Sequence, residues 1–116
     1  MTQIPDTTPP DKPVDVITTV SVTPESKDRV EKYLIDLGKD IEANEPGCLQ
    51  WEVFYLGSPG ELVLIERFKD LSSAEDHRHI QYSRDALAHA AEQGWLSREP
   101  DIKILNSRGG FAFRKA

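Results

Sequence analysis

The sequence predicts an α+β fold with the element order β-α-β-β-α-β, built on one antiparallel sheet. Three observations carry this. Segments 14–22, 48–56, 61–68 and 101–107 are rich in β-branched and aromatic residues or alternate apolar with polar ones. Segments 24–44 and 73–93 space their apolar residues as helices do. The two middle strands are joined by Gly57-Ser58-Pro59-Gly60, a four-residue loop that makes a hairpin. The chain has 116 residues, enough for one domain and too few for two.

Residues 1–13 hold four of the eight prolines and read as a flexible arm ahead of the domain at 14–108. Val14–Val22 is the first strand, with Val16, Thr18, Val20 and Val22 on one face. Thr23-Pro24 then reads as an N-cap followed by proline in the first turn. The first helix runs to Asn44, where Glu45-Pro46-Gly47 ends it, and its inward stripe is Val30, Leu34, Leu37 and Ile41. Gly38 weakens its interior.

If Leu56 pairs with Glu61 in the hairpin, one sheet face carries Leu49, Trp51, Val53 and Tyr55 opposite Phe68, Glu66, Leu64 and Leu62. That face is nearly all apolar and should meet the helices. The other, with Gln50, Glu52 and Phe54 opposite Arg67, Ile65 and Val63, is mixed and suited to another subunit. Ser72 with Glu75 reads as a capping box that opens the second helical region. That region comes in two pieces that meet near Tyr82-Ser83, with Ala74, His77 and Ile80 or Gln81 inward in the first and Leu87, Ala90 and Ala91 inward in the second. Gly94 stops it, and Asp101–Ser107 is the last strand. In the tail, 109–116, Phe111 and Phe113 are apolar residues a monomer would struggle to bury, so the tail is a candidate for packing at a subunit interface. The order is that of a split βαβ, or ferredoxin-like, unit.

Lys plus Arg is 14 against 20 for Asp plus Glu, a net charge of −6. Without a basic cluster, neither nucleic acid nor an anionic membrane is an expected partner. No run approaches the roughly 18 apolar residues of a membrane span. The single Cys48 excludes an internal disulfide and a cysteine-based zinc site. A cytoplasmic location is the expectation, since residues 1–13 lack the features of a signal peptide.

Phosphate loops, zinc-protease motifs and nucleophile elbows are all missing from the sequence. His77 and His79, two apart on a helix, point in different directions and make a poor metal pair. His77 alone is more informative. An inward imidazole can take and return a proton, although a structural histidine would look the same. Glu66 sits on an apolar face between Leu64 and Phe68, where it can orient that imidazole or form a structural ion pair. Trp51, Tyr55, Phe68 and Tyr82 are candidates for an aromatic wall around a flat ligand, with Leu87 and Thr18 as further lining. Cys48 reads as a small packing residue.

Asn44-Glu45-Pro46-Gly47-Cys48-Leu49, then Leu64-Ile65-Glu66-Arg67-Phe68, then Ala74-x-x-His77 resemble the antibiotic biosynthesis monooxygenase (ABM) domain over about residues 14–107. The resemblance implies a dimeric α+β barrel with two ferredoxin-like sheets back to back and a pocket between sheet and helices. It implies a cofactor-independent monooxygenase of an electron-rich aromatic such as a quinol or anthrone, with O2 as co-substrate and no metal or bound cofactor. His77 then matches the family's helix histidine, the candidate base, and Glu66 its strand glutamate. The haem-degrading branch uses a strand-1 asparagine and a helix tryptophan. Here the strand carries Thr18 and Thr19 and no such tryptophan is present, so haem cleavage is disfavoured. Two other readings remain: a proton-shuffling isomerase or lyase on the same fold, and a non-catalytic small-molecule-binding dimer.

Overall fold

The structure, a computed structural model, describes residues 7–57, 60–79 and 81–114, without the side chains of residues 79, 81–84 and 87. Its elements are β1 (Val14–Ser21), α1 (Lys27–Asn44), β2 (Cys48–Leu56), β3 (Glu61–Phe68), α2 (Leu71–His79), α3 (Gln81–Glu92) and β4 (Asp101–Leu105). A 3-10 turn, Pro24–Ser26, leads into α1. The four strands form one antiparallel sheet in the order β2-β3-β1-β4, the ferredoxin-like arrangement expected from the sequence. Ser58 and Pro59 of the hairpin loop lie outside the described residues.

Alternation puts Val14, Val16, Thr18 and Val20 of β1 and Leu62, Leu64, Glu66 and Phe68 of β3 on the inner face, under the helices. The α1 stripe of Val30, Leu34, Leu37 and Ile41 is buried, as its spacing predicts. Val20, Val22, Leu62 and Trp95 pack against Val30 and Leu34, and Leu37 and Ile41 pack against Ala86 of α3.

The hairpin register is the expected one from Leu56↔Glu61 to Gln50↔Arg67, but a bulge then intervenes and Cys48 pairs with Phe68. The bulge takes up one residue, so Cys48 packs against the inner-face cluster while Leu49, expected inside, is 57% exposed.

Asp70, rather than Ser72, caps α2, with its Oδ1 accepting from the Ser73 N–H at 2.8 Å. Two helices are described, α2 to His79 and α3 from Gln81, so Tyr82 and Ser83 lie inside α3, while position 80 lies outside the described residues. In α3 the buried alanines are Ala86 and Ala90, four apart, and Ala91 is exposed. Gly94 ends the helix with φ +69. Among the described residues no helix is long and apolar enough to cross a membrane.

Candidate functional site

Three titratable side chains from three separate segments meet under the sheet. His77 lies one turn beyond Ala74 on α2, and both face inward. Glu66 lies on the inner face of β3, between Trp51 of β2 and Val16 of β1. Glu45 is the C-cap of α1, where Pro46 stops the helix and the Glu45 N–H donates to Ile41 O at 2.8 Å. All three are buried, with 9% or less of each residue exposed.

The imidazole is held from both ends. His77 Nδ1 is 2.7 Å from Oε1 of Glu45, and Nε2 is 3.3 Å from Oε1 of Glu66. Doubly protonated, the ring donates both ways; a neutral ring would turn a lone pair toward one carboxylate. Burial pushes the imidazole pKa down, but the hydrogen bonds and charges of Glu66 and then Glu45 outweigh it and hold His77 above its ordinary 6.5. Two carboxylates thus flank one imidazole in a water-poor setting. Such a group can receive a proton from a bound molecule and hold it.

Sequence reasoning placed Glu45 only as a helix end. The available signal was electrostatic: a carboxylate at a helix C-terminus opposes the macrodipole and calls for a cation, which His77 supplies.

Two glycines set the close approaches around this cluster. A Cβ on Gly38 would lie 2.5 Å from Cδ1 and 2.9 Å from Nε1 of Trp51. Its absence lets the indole lie against α1 and donate from Nε1 to Leu34 O at 3.0 Å. Gly47 in turn admits the Ser73 side chain, which brings the start of α2 against the loop that follows α1. The Trp51 ring then lies 5.9 Å from His77, and the Phe68 ring 5.0 Å from it. These rings dry the imidazole and are flat surfaces beside it.

Of the residues singled out from the sequence, His77, Glu66, Trp51 and Phe68 therefore come together. Thr18 is buried on the same face one row away, opposite Leu64. Tyr55 stands two rows from Trp51 and is 51% exposed, with Lys27 Nζ 4.5 Å over its ring. The side chains of Tyr82 and Leu87 lie outside the described part of the structure. Cys48 also borders the cluster: burial, then the Glu66 charge, push its thiol up to about 11. Among the described residues no group of three or more His, Cys, Asp or Glu is arranged to hold a metal ion. A groove of about 1050 Å³ lies elsewhere, between residues 7–13 and 105–112, and does not touch His77. Chemistry-bearing groups converge at His77, which makes it the candidate site.

The family model described as antibiotic biosynthesis monooxygenase matches residues 13–89. A solved structure from Caulobacter crescentus CB15, carrying the same family name, is 24% identical, covers 85% of this chain and 92% of its own, and has a TM-score of 0.76. The protein Rv0793 of Mycobacterium tuberculosis is 23% identical over 87% of this chain and 100% of its own, also at 0.76. A conserved protein from Methanosarcina mazei Go1 is 21% identical over 84% and 95%, at 0.74. At these identities the likeness is one of fold. No curated protein matches the chain.

Proposed function

Because this chain belongs to the antibiotic biosynthesis monooxygenase family, we propose that it oxygenates an electron-rich aromatic, a quinol or anthrone, with O2 and without metal or bound cofactor. The observation that carries the reading is the buried His77, clamped between Glu45 and Glu66 beside the faces of Trp51 and Phe68. The assembly that goes with it is a homodimer formed through the outer face of the sheet, where Phe54, Leu56 and Leu105 are 40–48% exposed.

The steps follow from the charge of the cluster. A phenol or activated CH2 group loses its proton to the carboxylate–imidazole cluster. His77 in its neutral form is the acceptor, and Glu66 orients the ring. The resulting carbanion or phenolate donates one electron to O2. Radical and superoxide recombine into a C–O bond, giving a peroxide that takes the proton back. For an anthrone, loss of water then converts CH2 to C=O, so one O2 is consumed and one water released. The imidazolium steadies the developing oxyanions, and the apolar rings keep water from competing.

The test is O2 consumption by the purified, chelator-treated protein against a panel of hydroquinones and anthrones. One O2 per carbonyl formed is expected, and His77→Ala and Glu66→Gln should each lose at least 100-fold in kcat, the usual scale of a lost acid–base group. Binding without O2 uptake, or rates unchanged in both variants, would refute the reading. Substrate isomerisation without O2 would assign the same cluster to proton shuffling instead.

A further inference from the structure

We propose that Glu45 is a positioning residue for the proton transfer: it keeps the hydrogen of the neutral His77 ring on Nδ1 and so makes Nε2 the nitrogen that receives the substrate's proton. This rests on His77 as the base proposed above, and adds which end of the ring reacts and what decides it.

A neutral imidazole has one N–H and one lone pair, and the neighbours of its two nitrogens choose between them. Here both neighbours are carboxylates, so they compete for one hydrogen. Nδ1 is 2.7 Å from Glu45 Oε1, the length of a charge-assisted hydrogen bond. Nε2 is 3.3 Å from Glu66 Oε1, beyond the about 3.2 Å reach of an ordinary N–H···O bond. With the hydrogen on Nδ1 the short contact is the bond, and the lone pair faces the more distant acid. With the hydrogen on Nε2 the bond is the long one, and the lone pair meets a carboxylate at the shorter distance. Attraction and repulsion both grow as separation falls, so both favour Nδ1–H.

Glu45 is pinned on either side. Its N–H donates to Ile41 O at 2.8 Å, and its carbonyl accepts from the Cys48 N–H at 3.0 Å. Pro46 lies between and restricts the turn. The Cys48 thiol, the other titratable neighbour, donates to Gln50 O at 3.3 Å and does not compete for the ring.

The two nitrogens also differ in their surroundings. Nδ1 looks toward the end of α1, where the Glu45 carboxylate occupies its line of approach. Nε2 looks toward β3, whose inner face continues into Val16 and Thr18 of β1. A substrate between sheet and helices therefore meets Nε2. Its O–H or C–H bond breaks, the electron pair stays on the substrate, and the proton goes to the Nε2 lone pair. The imidazolium so formed donates to both carboxylates.

The test is NMR of the full chain with 15N-labelled histidine, above the midpoint of the His77 titration; the signals lost in His77→Gln assign the ring. The parent should show the hydrogen on Nδ1, the reverse of free histidine's preference. In Glu45→Gln the amide NH2 donates to Nδ1, so the hydrogen should move to Nε2, against Glu66. In Glu66→Gln it should stay on Nδ1. Circular dichroism confirms that each variant is folded. Because Glu45 does not touch the substrate, Glu45→Gln should lower kcat about tenfold or more and leave KM within about threefold. A parent ring with its hydrogen on Nε2, or Nδ1–H that persists in Glu45→Gln, overturns the proposal. So does a ring that stays doubly protonated for as long as the chain is folded. Oxygenase activity with the hydrogen on Nε2 overturns the role of Glu45 and spares the base. The expected tautomer in a chain that consumes no O2 overturns the base and spares the tautomer.

Discussion

Replacing Gly38 with alanine should destabilise the protein, although the same change in an exposed helix interior stabilises by about 1 kcal/mol. The reversal comes from Trp51. The new methyl would sit 2.5 Å from Cδ1, while carbon atoms in contact prefer roughly 3.5–4.0 Å, so the indole must withdraw by about 1 Å. That strain costs on the order of 1–3 kcal/mol. The withdrawal also breaks the 3.0 Å bond from Nε1 to Leu34 O, worth about 1 kcal/mol. Set against the propensity gain, a net loss of about 1–3 kcal/mol is expected. Urea denaturation at constant m-value reads it directly. In a Trp51→Leu background the ring is gone, and Gly38→Ala should become neutral or stabilising. Stabilisation by alanine in the parent chain would refute the argument, because the indole would then not be held where the site needs it.

The His77 imidazole should titrate above 6.5 by NMR and fall toward that value in Glu45→Gln; a parent midpoint below 6.5, the direction burial alone would give, would show that the carboxylates do not hold it. Because the folded pKa is the raised one, the stability of the parent over His77→Gln should be full below about 6.5 and shrink as pH rises through the folded value, measured by denaturation at several pH values. Iodoacetamide should alkylate Cys48 at pH 8 roughly a hundredfold more slowly than a cysteine peptide, since a thiol at about 11 is almost wholly protonated there. A peptide-like rate would remove the burial argument. Asp70→Ala should cost about 1 kcal/mol and Ser72→Ala almost nothing, as only Asp70 caps α2; equal losses in thermal or urea melts would restore the capping box.

The strands, the α1 stripe and most of the hairpin register were legible because each rests on periodicity within one segment. Leu56 opposite Glu61 follows from a four-residue loop, and the apolar face follows from that pairing. What escaped depended on contacts between segments. Nothing in Cys48-Leu49-Gln50 announces a bulge, because a bulge is defined by the pairing between two strands and not by composition within one. The α2 cap is Asp70 rather than Ser72, since the helix begins at Leu71, two residues earlier than the capping box requires. For the candidate site, His77 and Glu66 stood out as polar residues on apolar faces. Glu45 did not, because its burial comes from α2 folding back over the end of α1. Gly38 looked like a weak point in a helix until Trp51 supplied its reason.

At its N-terminal corner β2 contains one residue more than its neighbour needs. Cys48 faces inward and Gln50 outward with Leu49 between them, so removing Leu49 would leave every pair on either side correctly matched. The surplus residue therefore serves no pairing. A bulge bends its strand and sharpens the local twist, and here it lies three residues from Pro46 and four from Glu45. The bulge thus sits on the short stretch between the α1 C-cap, which supplies Glu45, and the regularly paired part of β2. A one-residue deletion there would spare the sheet and misaim the acid.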